Sequence, residues 1–158
     1  MDIKAIKSNI RSLLIKTRIS HAKNIKIDFS KVSSNISEFI SKYFLLYPEY
    51  RINCIGGYHP IKNEFPVTPL MQIFGNQFKV QLALPIVIAP DVPLIFKEWK
   101  IEDKLEKGQF KVMVPSSSSP LIIPNFFFVT LVGFTSRCNR IGYGGGYYDR
   151  TIKEVKEK

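Results

Sequence analysis

From Ile3 to Arg18 the apolar residues Ile3, Ile6, Ile10, Leu13 and Leu14 recur at helical spacing. Lys4, Lys7, Arg11 and Arg18 fall within an arc of roughly 60° at ~100° per residue. The pattern predicts one helix with a dry stripe and a cationic stripe beside it. A second helix is predicted from about Phe29 to Tyr47, because Phe29, Val32, Ile36, Phe39, Ile40, Tyr43 and Phe44 share one face. Pro48 ends it, and Arg51 to Ile55 reads as a short strand running into Gly56-Gly57. After a loop from Tyr58 to Glu64, Thr68 followed by Pro69 reads as an N-cap with proline at the first helical position, opening a short helix through Phe74 that Gly75-Asn76 closes. Strands are expected at about Lys79 to Leu84 and Pro93 to Trp99, and the serines of Ser116 to Pro120 form a surface connector. Leu121 to Val129 is almost wholly apolar, which predicts a central buried strand from about Asn125, behind Pro124. A glycine-rich turn follows, then a helix from Tyr147 to about Glu157 with Tyr148, Ile152 and Val155 on one face. Helices alternating with strands indicate an α/β layered fold in one domain spanning 1–158.

Composition narrows the class. No apolar run is long enough to span a membrane, and the cations scattered through the first helix leave no separate charged region and apolar core of a secretory signal. Cys54 and Cys138 are too few for a disulfide framework or a structural zinc site and fit a cytoplasmic protein. A net charge of +10 attracts polyanions in general, nucleotides and nucleic acids alike. No helix-turn-helix, zinc-finger, RRM or KH signature accompanies it, so the chain is not read as a nucleic-acid module.

The chemistry concentrates between Arg140 and Asp149. Gly144, Gly145 and Gly146 lie just before a helix, where backbone N–H groups converge on an anion and Arg140 adds a cation. Asp149, in the first helical turn, can reach a phosphate-bound Mg²⁺ or simply complement the helix dipole. The glycine run is equally a flexible turn when taken alone, and Lys7 and Arg11 a solvated helix face. His21 and His59 read as incidental loop residues, Glu64 as an exposed loop carboxylate, and Trp99 as either core or pocket.

The extended string Asn139-Arg140-Ile141-Gly142-Tyr143-Gly144-Gly145-Gly146-Tyr147-Tyr148-Asp149-Arg150 resembles the signature of the 5-formyltetrahydrofolate cyclo-ligase (5,10-methenyltetrahydrofolate synthetase) family. Lys7-Ser8-Asn9-Ile10-Arg11 is similar to the family's K-x-x-[LI]-R helix, and Asn63-Glu64-Phe65-Pro66-Val67, followed by Pro69-Leu70, to its G-E-V-D region. Ala83-Leu84-Pro85 and Leu94 to Trp99 fall where the family has comparable segments. The resemblance implies a three-layer sandwich, a mostly parallel central sheet flanked by helices, of the NagB/RpiA/CoA-transferase-like fold. It implies ATP- and Mg²⁺-dependent closure of 5-formyltetrahydrofolate to 5,10-methenyltetrahydrofolate. The formyl oxygen takes the γ-phosphoryl group and ADP leaves; N10 then attacks the imidate carbon and phosphate departs. It assigns ATP contacts to Lys7, Arg11, Arg140, Ile141, Gly142, Tyr143, Gly144, Gly145, Gly146, Tyr147 and Tyr148, with Arg140 and Lys7 as the catalytic cations. Asp149 becomes a metal ligand, and Glu64, Trp99 and Tyr143 to Tyr147 face the folate. The implied partners are small molecules, folate and ATP, rather than nucleic acid or membrane.

The chain departs from the family pattern at Asn125, where Asp is usual, at Thr130, where Pro is usual, and at Thr135, where Asp is frequent. The family also continues beyond Lys158 with a strand and a second acidic metal position, so a C-terminally shortened copy is expected. The alternative is a truncated, catalytically impaired remnant that binds nucleotide or other polyanions without turnover.

Overall fold

The computed structural model describes residues 2–22 and 25–157; the expected domain limits, Met1 and Lys158, lie outside them. Helix α1 (Ile3–Ala22) is followed by α2 (Phe29–Leu46), β1 (Cys54–Gly56), α3 (Thr68–Phe78), β2 (Gln81–Ile86) and β3 (Ile95–Glu98). Then come β4 (Glu106–Lys107), a 3-10 turn at Gln109–Lys111, β5 (Met113–Val114), β6 (Phe126–Phe127), β7 (Gly133–Phe134), β8 (Arg140–Ile141) and α4 (Tyr147–Lys156). The main sheet has the order β3-β2-β1-β6. In it β1 runs parallel to β2 and to β6, while β3 is antiparallel to β2, giving a mixed α/β fold with a mostly parallel sheet. Two hairpins, β4/β5 and β7/β8, stand apart from it.

The core lies between this sheet and the helices α2 and α3. Ile55, Met71 and Phe74 are fully buried there, joined by Val67, Leu70, Leu84 and Trp99, with Val32 and Ile36 of α2 packed against them. Asp28 caps α2 by accepting the N–H of Lys31 at 3.0 Å, which starts the helix at the expected residue. The apolar face of α2 is only partly covered: Ile40 is buried, whereas Phe39 and Tyr43 are exposed.

Helix α3 corrects the turn chemistry expected at both of its ends. Val67 is its N-cap, so Thr68 is already helical, and the helix runs through Gly75-Asn76 to stop at Lys79 in a left-handed conformation, φ 54°. Gly75 serves packing instead of termination, since a Cβ there would stand 2.9 Å from Leu82 Cδ2. The expected central strand is also corrected. Only Phe126–Phe127 pairs, β6 is at the end of the sheet order, and the β7/β8 hairpin intervenes before the glycine turn.

The departure at Asn125 has a local cause. Its Oδ1 accepts the N–H groups of Asn53 (3.0 Å) and Cys54 (3.2 Å) while its Nδ2 donates to the Arg51 carbonyl. An aspartate could accept the first two bonds but not donate the third. Thr135 closes the β7/β8 turn, its Oγ1 accepting the N–H of Asn139 at 3.2 Å.

The first helix reverses its expected polarity. It buries none of its residues, and Ile3, Ile6, Ile10 and Leu13 of the predicted dry stripe are exposed. Arg11 and Arg18 face inward instead, and Leu14 lies where a Cβ on Gly133 would meet it at 2.5 Å. Two of the four cations, Arg11 and Arg18, share the docking face with Leu14 because they find main-chain acceptors, the Gly142 and Leu131 carbonyls.

Candidate functional site

The β7/β8 hairpin delivers the chain into the glycine turn, and α4 leaves it. Thr151, buried near the start of α4, fixes the exit: its Oγ1 accepts the N–H of Leu94 at 2.8 Å and donates to the Tyr147 carbonyl at 2.9 Å. Two residues of the turn require glycine for their backbone, Gly144 at φ 108° and Gly146 at φ 68°, the latter being the N-cap of α4. From Gly142 through Asp149 no main-chain N–H finds an acceptor among the described residues. Unpaired N–H groups at a helix start, turned by left-handed residues, are the arrangement that binds anions.

An arginine stands against three of the four glycines. A Cβ added at Gly142 would lie 2.8 Å from Arg140 Nη1, at Gly144 3.4 Å from Arg11 Cζ, and at Gly146 2.7 Å from Arg150 Nη1. Arg11 Nε donates to the Gly142 carbonyl at 2.9 Å, and Arg150 Nη2 to the Gly145 carbonyl at 2.7 Å. The turn borders a cavity of about 350 Å³ whose wall also includes Lys7, Arg11, Arg140, Glu64 and Asp149. Pro85, Val87, Leu94, Val112 and Val114 supply its apolar lining. Lys7 and Arg11, distant in sequence from the turn, are therefore brought to it by α1.

Arg140 and Asp149 are engaged with each other. Arg140 Nη2 pairs with Asp149 Oδ1, and its Nη1 donates to the Thr130 carbonyl at 2.8 Å. Asp149 is a largely exposed carboxylate at the rim, and the described residues contain no group of three or more His, Cys, Asp or Glu able to hold a metal by themselves. A single carboxylate suits Mg²⁺, which keeps waters and takes phosphate oxygens alongside one or two carboxylates.

Glu64 is buried, at 8% exposure, in contrast to the exposed loop residue read from sequence. One carboxylate oxygen accepts the Ile61 N–H at 2.8 Å; the other is buried without a partner. Burial pushes its pKa above the ordinary 4.5, opposed by the Ile61 bond and by Tyr143, Arg18 and Lys62. Tyr143 lies near enough to the carboxylate to favour its ionised form. Its own hydroxyl accepts from Arg18, and Arg18 and Lys62 each sit 5.6 Å from its ring centre. Glu64 and Tyr58 also border a second, apolar cavity of about 730 Å³, which Arg18 lines as well.

Trp99 does not reach the first cavity; it packs with Ile55 and Phe74 in the core, its indole N–H unpaired. His59 does line the cavity, with a buried Nδ1 that has no partner, whereas His21 bonds back onto Thr17 of its own helix. Sequence reasoning left Arg18 and Arg150 unassigned. The available signals were Arg18 at seven residues past Arg11 on the same arc and Arg150 four residues past Gly146, one helical turn from the cradle.

Fold and site together define a mixed α/β protein with an arginine-walled glycine cradle at a strand-to-helix turn. No family model matches the chain. It is 27% identical to the 5-formyltetrahydrofolate cyclo-ligase of Mycoplasma pneumoniae over 149 residues, 94% of this chain and 78% of that protein. It is 30% identical to the Haemophilus influenzae 5-formyltetrahydrofolate cyclo-ligase over 69 residues, which span 41% of this chain and only 37% of the relative. The Aquifex aeolicus 5,10-methenyltetrahydrofolate synthetase superposes with a TM-score of 0.63 at 26% identity, covering 96% of this chain and 74% of that one. The Mycoplasma pneumoniae 5,10-methenyltetrahydrofolate synthetase shares the fold with a TM-score of 0.59 at 22% identity, over 96% and 80% of the two chains. The resemblance to the cyclo-ligase family thus extends over nearly the whole chain.

Proposed function

We propose that this chain is an ATP- and Mg²⁺-dependent 5-formyltetrahydrofolate cyclo-ligase, a single cytoplasmic domain of the NagB/RpiA/CoA-transferase-like fold acting on small molecules. The observation that carries the reading is the unbroken series of unpaired N–H groups from Gly142 to Asp149, set beside Lys7 and Arg11 in one cavity. The similarity to named cyclo-ligases along the chain supports it.

In this reading the amides of the glycine turn hold the triphosphate, and Lys7 and Arg11 balance the charge on the transferring group. Such a transfer needs positioning and charge neutralisation more than covalent help from the protein. Asp149 would hold Mg²⁺, whose chemistry is to neutralise phosphate charge. Arg140 is a catalytic cation that must exchange Asp149 for phosphate oxygens. The formyl oxygen attacks the γ-phosphorus and ADP leaves; N10 closes onto the imidate carbon as phosphate departs. Glu64, with one oxygen unpaired in the wall, receives an N–H of the folate ring system, and Tyr143 to Tyr147 line the same side. Trp99 acts on the folate pocket only through the packing beneath it.

The test is the absorbance of methenyltetrahydrofolate formed from 5-formyltetrahydrofolate, Mg-ATP and purified protein. Turnover that requires all three is the expected result; absence of product while ATP still binds overturns it. That outcome is the second reading, nucleotide binding without catalysis, and the Arg140–Asp149 pair favours it by engaging the exposed carboxylate that would hold the metal.

A further inference from the structure

The glycine turn has a problem of its own making. A peptide plane flanked by glycines can rotate at little cost, and each rotation reverses a C=O and the N–H of the next residue together, because the two point oppositely across a trans peptide. A cradle of N–H groups built from glycine therefore needs something that fixes its carbonyls. The Gly145–Gly146 plane, flanked by glycines on both sides with residue 146 at φ 68°, is open to this.

Arg150 answers it. Its Nη2 donates to the Gly145 carbonyl at 2.7 Å, and its guanidinium lies so close to Gly146 that a Cβ there would stand 2.7 Å from Nη1. The guanidinium also rests 5.1 Å from the Tyr147 ring centre, with Asp91 Oδ1 3.8 Å from Nη1. Its Nε is buried and unpaired, so the bond to Gly145 is the one hydrogen bond this side chain makes among the described residues. Arg150 is absent from the cavity wall that Arg11, Arg140 and Lys7 help to form. The Gly145 carbonyl is thus bonded to a side chain outside the cavity wall, and across a trans peptide the Gly146 N–H points the opposite way.

We propose that Arg150 is a positioning residue that locks the Gly145–Gly146 peptide in its anion-binding orientation without itself touching the anion. The proposal rests on the phosphate-cradle reading above, and specifies which side chain keeps that cradle formed. Arg11 does the same for the Gly142–Tyr143 peptide, but from within the wall, where its role cannot be separated from its charge.

The experiment compares wild type, Arg150→Ala and Arg150→Lys for binding of Mg-ATP and of inorganic tripolyphosphate by calorimetry, with thermal melts as the folding control. In parallel, the Gly146 amide is followed by ¹⁵N NMR during the titration. The expected result is a loss of affinity of about tenfold in both variants, the scale of one hydrogen bond to a charged group. The Gly146 amide response should be lost with it. Lysine keeps the charge but not the planar donor, so full recovery in Arg150→Lys overturns the proposal in favour of simple electrostatics. Wild-type affinity and an unchanged Gly146 response in either folded variant also overturn it, leaving the cradle standing. A wild-type chain that binds neither ligand overturns the cradle and the lock together. Should Arg150→Ala not fold, Arg150→Lys decides alone.

Discussion

The two halves of this molecule are held together by different forces. Around Ile55, Met71 and Phe74 the chain is closed by apolar burial, with side chains at essentially zero exposure. On the other side α1 buries nothing, and meets the glycine turn and its hairpin through guanidinium groups: Arg11 to the Gly142 carbonyl, Arg18 to the Leu131 carbonyl at 3.1 Å. Burial is non-directional and tolerates any ligand state, whereas these bonds are directional and end on the main-chain groups that an anion would sense. Stability is therefore concentrated in one half and recognition in the other, and substitutions should separate them.

The largest effect should come from Phe74→Ala in the apolar half. A fully buried aromatic removed from a packed core costs about 3–5 kcal/mol, which for a domain of this size is a large part of the whole. Urea unfolding should register it, while any protein still folded at low urea keeps its affinity for Mg-ATP. A folded variant with weakened nucleotide binding would erase the division between the halves. Arg11→Ala reverses the expectation. Losing a charge-assisted bond and a cavity cation together should weaken Mg-ATP at least tenfold, about 1.4 kcal/mol or more, with the urea midpoint nearly unmoved. Unaltered affinity there would remove α1 from the site.

How much of this was legible in the sequence follows the same division. Periodicity gave α2 and α4 because burial repeats with the helix, and both start at their expected residues; it gave α1 as a helix but not the face it docks, since the apolar stripe that marked it is mostly exposed. The strand from Asn125 was misread, because a run of phenylalanines signals dryness but not position in the sheet, and here β6 pairs only with β1. Gly75-Asn76 was misread because a glycine that permits close approach to Leu82 looks the same in sequence as one that ends a helix. At the site, the glycine turn with Lys7 and Arg11 was visible through the resemblance. The burial of Glu64 was not, since it depends on Tyr58, Tyr143 and Arg18 arriving from three separate segments. Nor was the withdrawal of Trp99 into the core, which a lone tryptophan in an apolar strand leaves undecided.

The finest discrimination between the two halves comes from Glu64, the carboxylate at their boundary. Its pKa is raised chiefly by burial, so across the pH range just above 4.5 the folded protein holds a proton that the unfolded chain has released. The folded state then binds more protons than the unfolded one, and linkage requires stability to fall as pH rises through that window and to level off above the folded-state pKa. Glu64→Gln has no proton to lose and keeps the Ile61 bond through its amide oxygen, so its stability should lack this decline. Urea midpoints of both proteins measured at a series of pH values read the difference directly. Parallel curves would mean that water and the neighbouring cations Arg18 and Lys62 already solvate the ionised carboxylate, making the boundary as polar as the glycine wall itself.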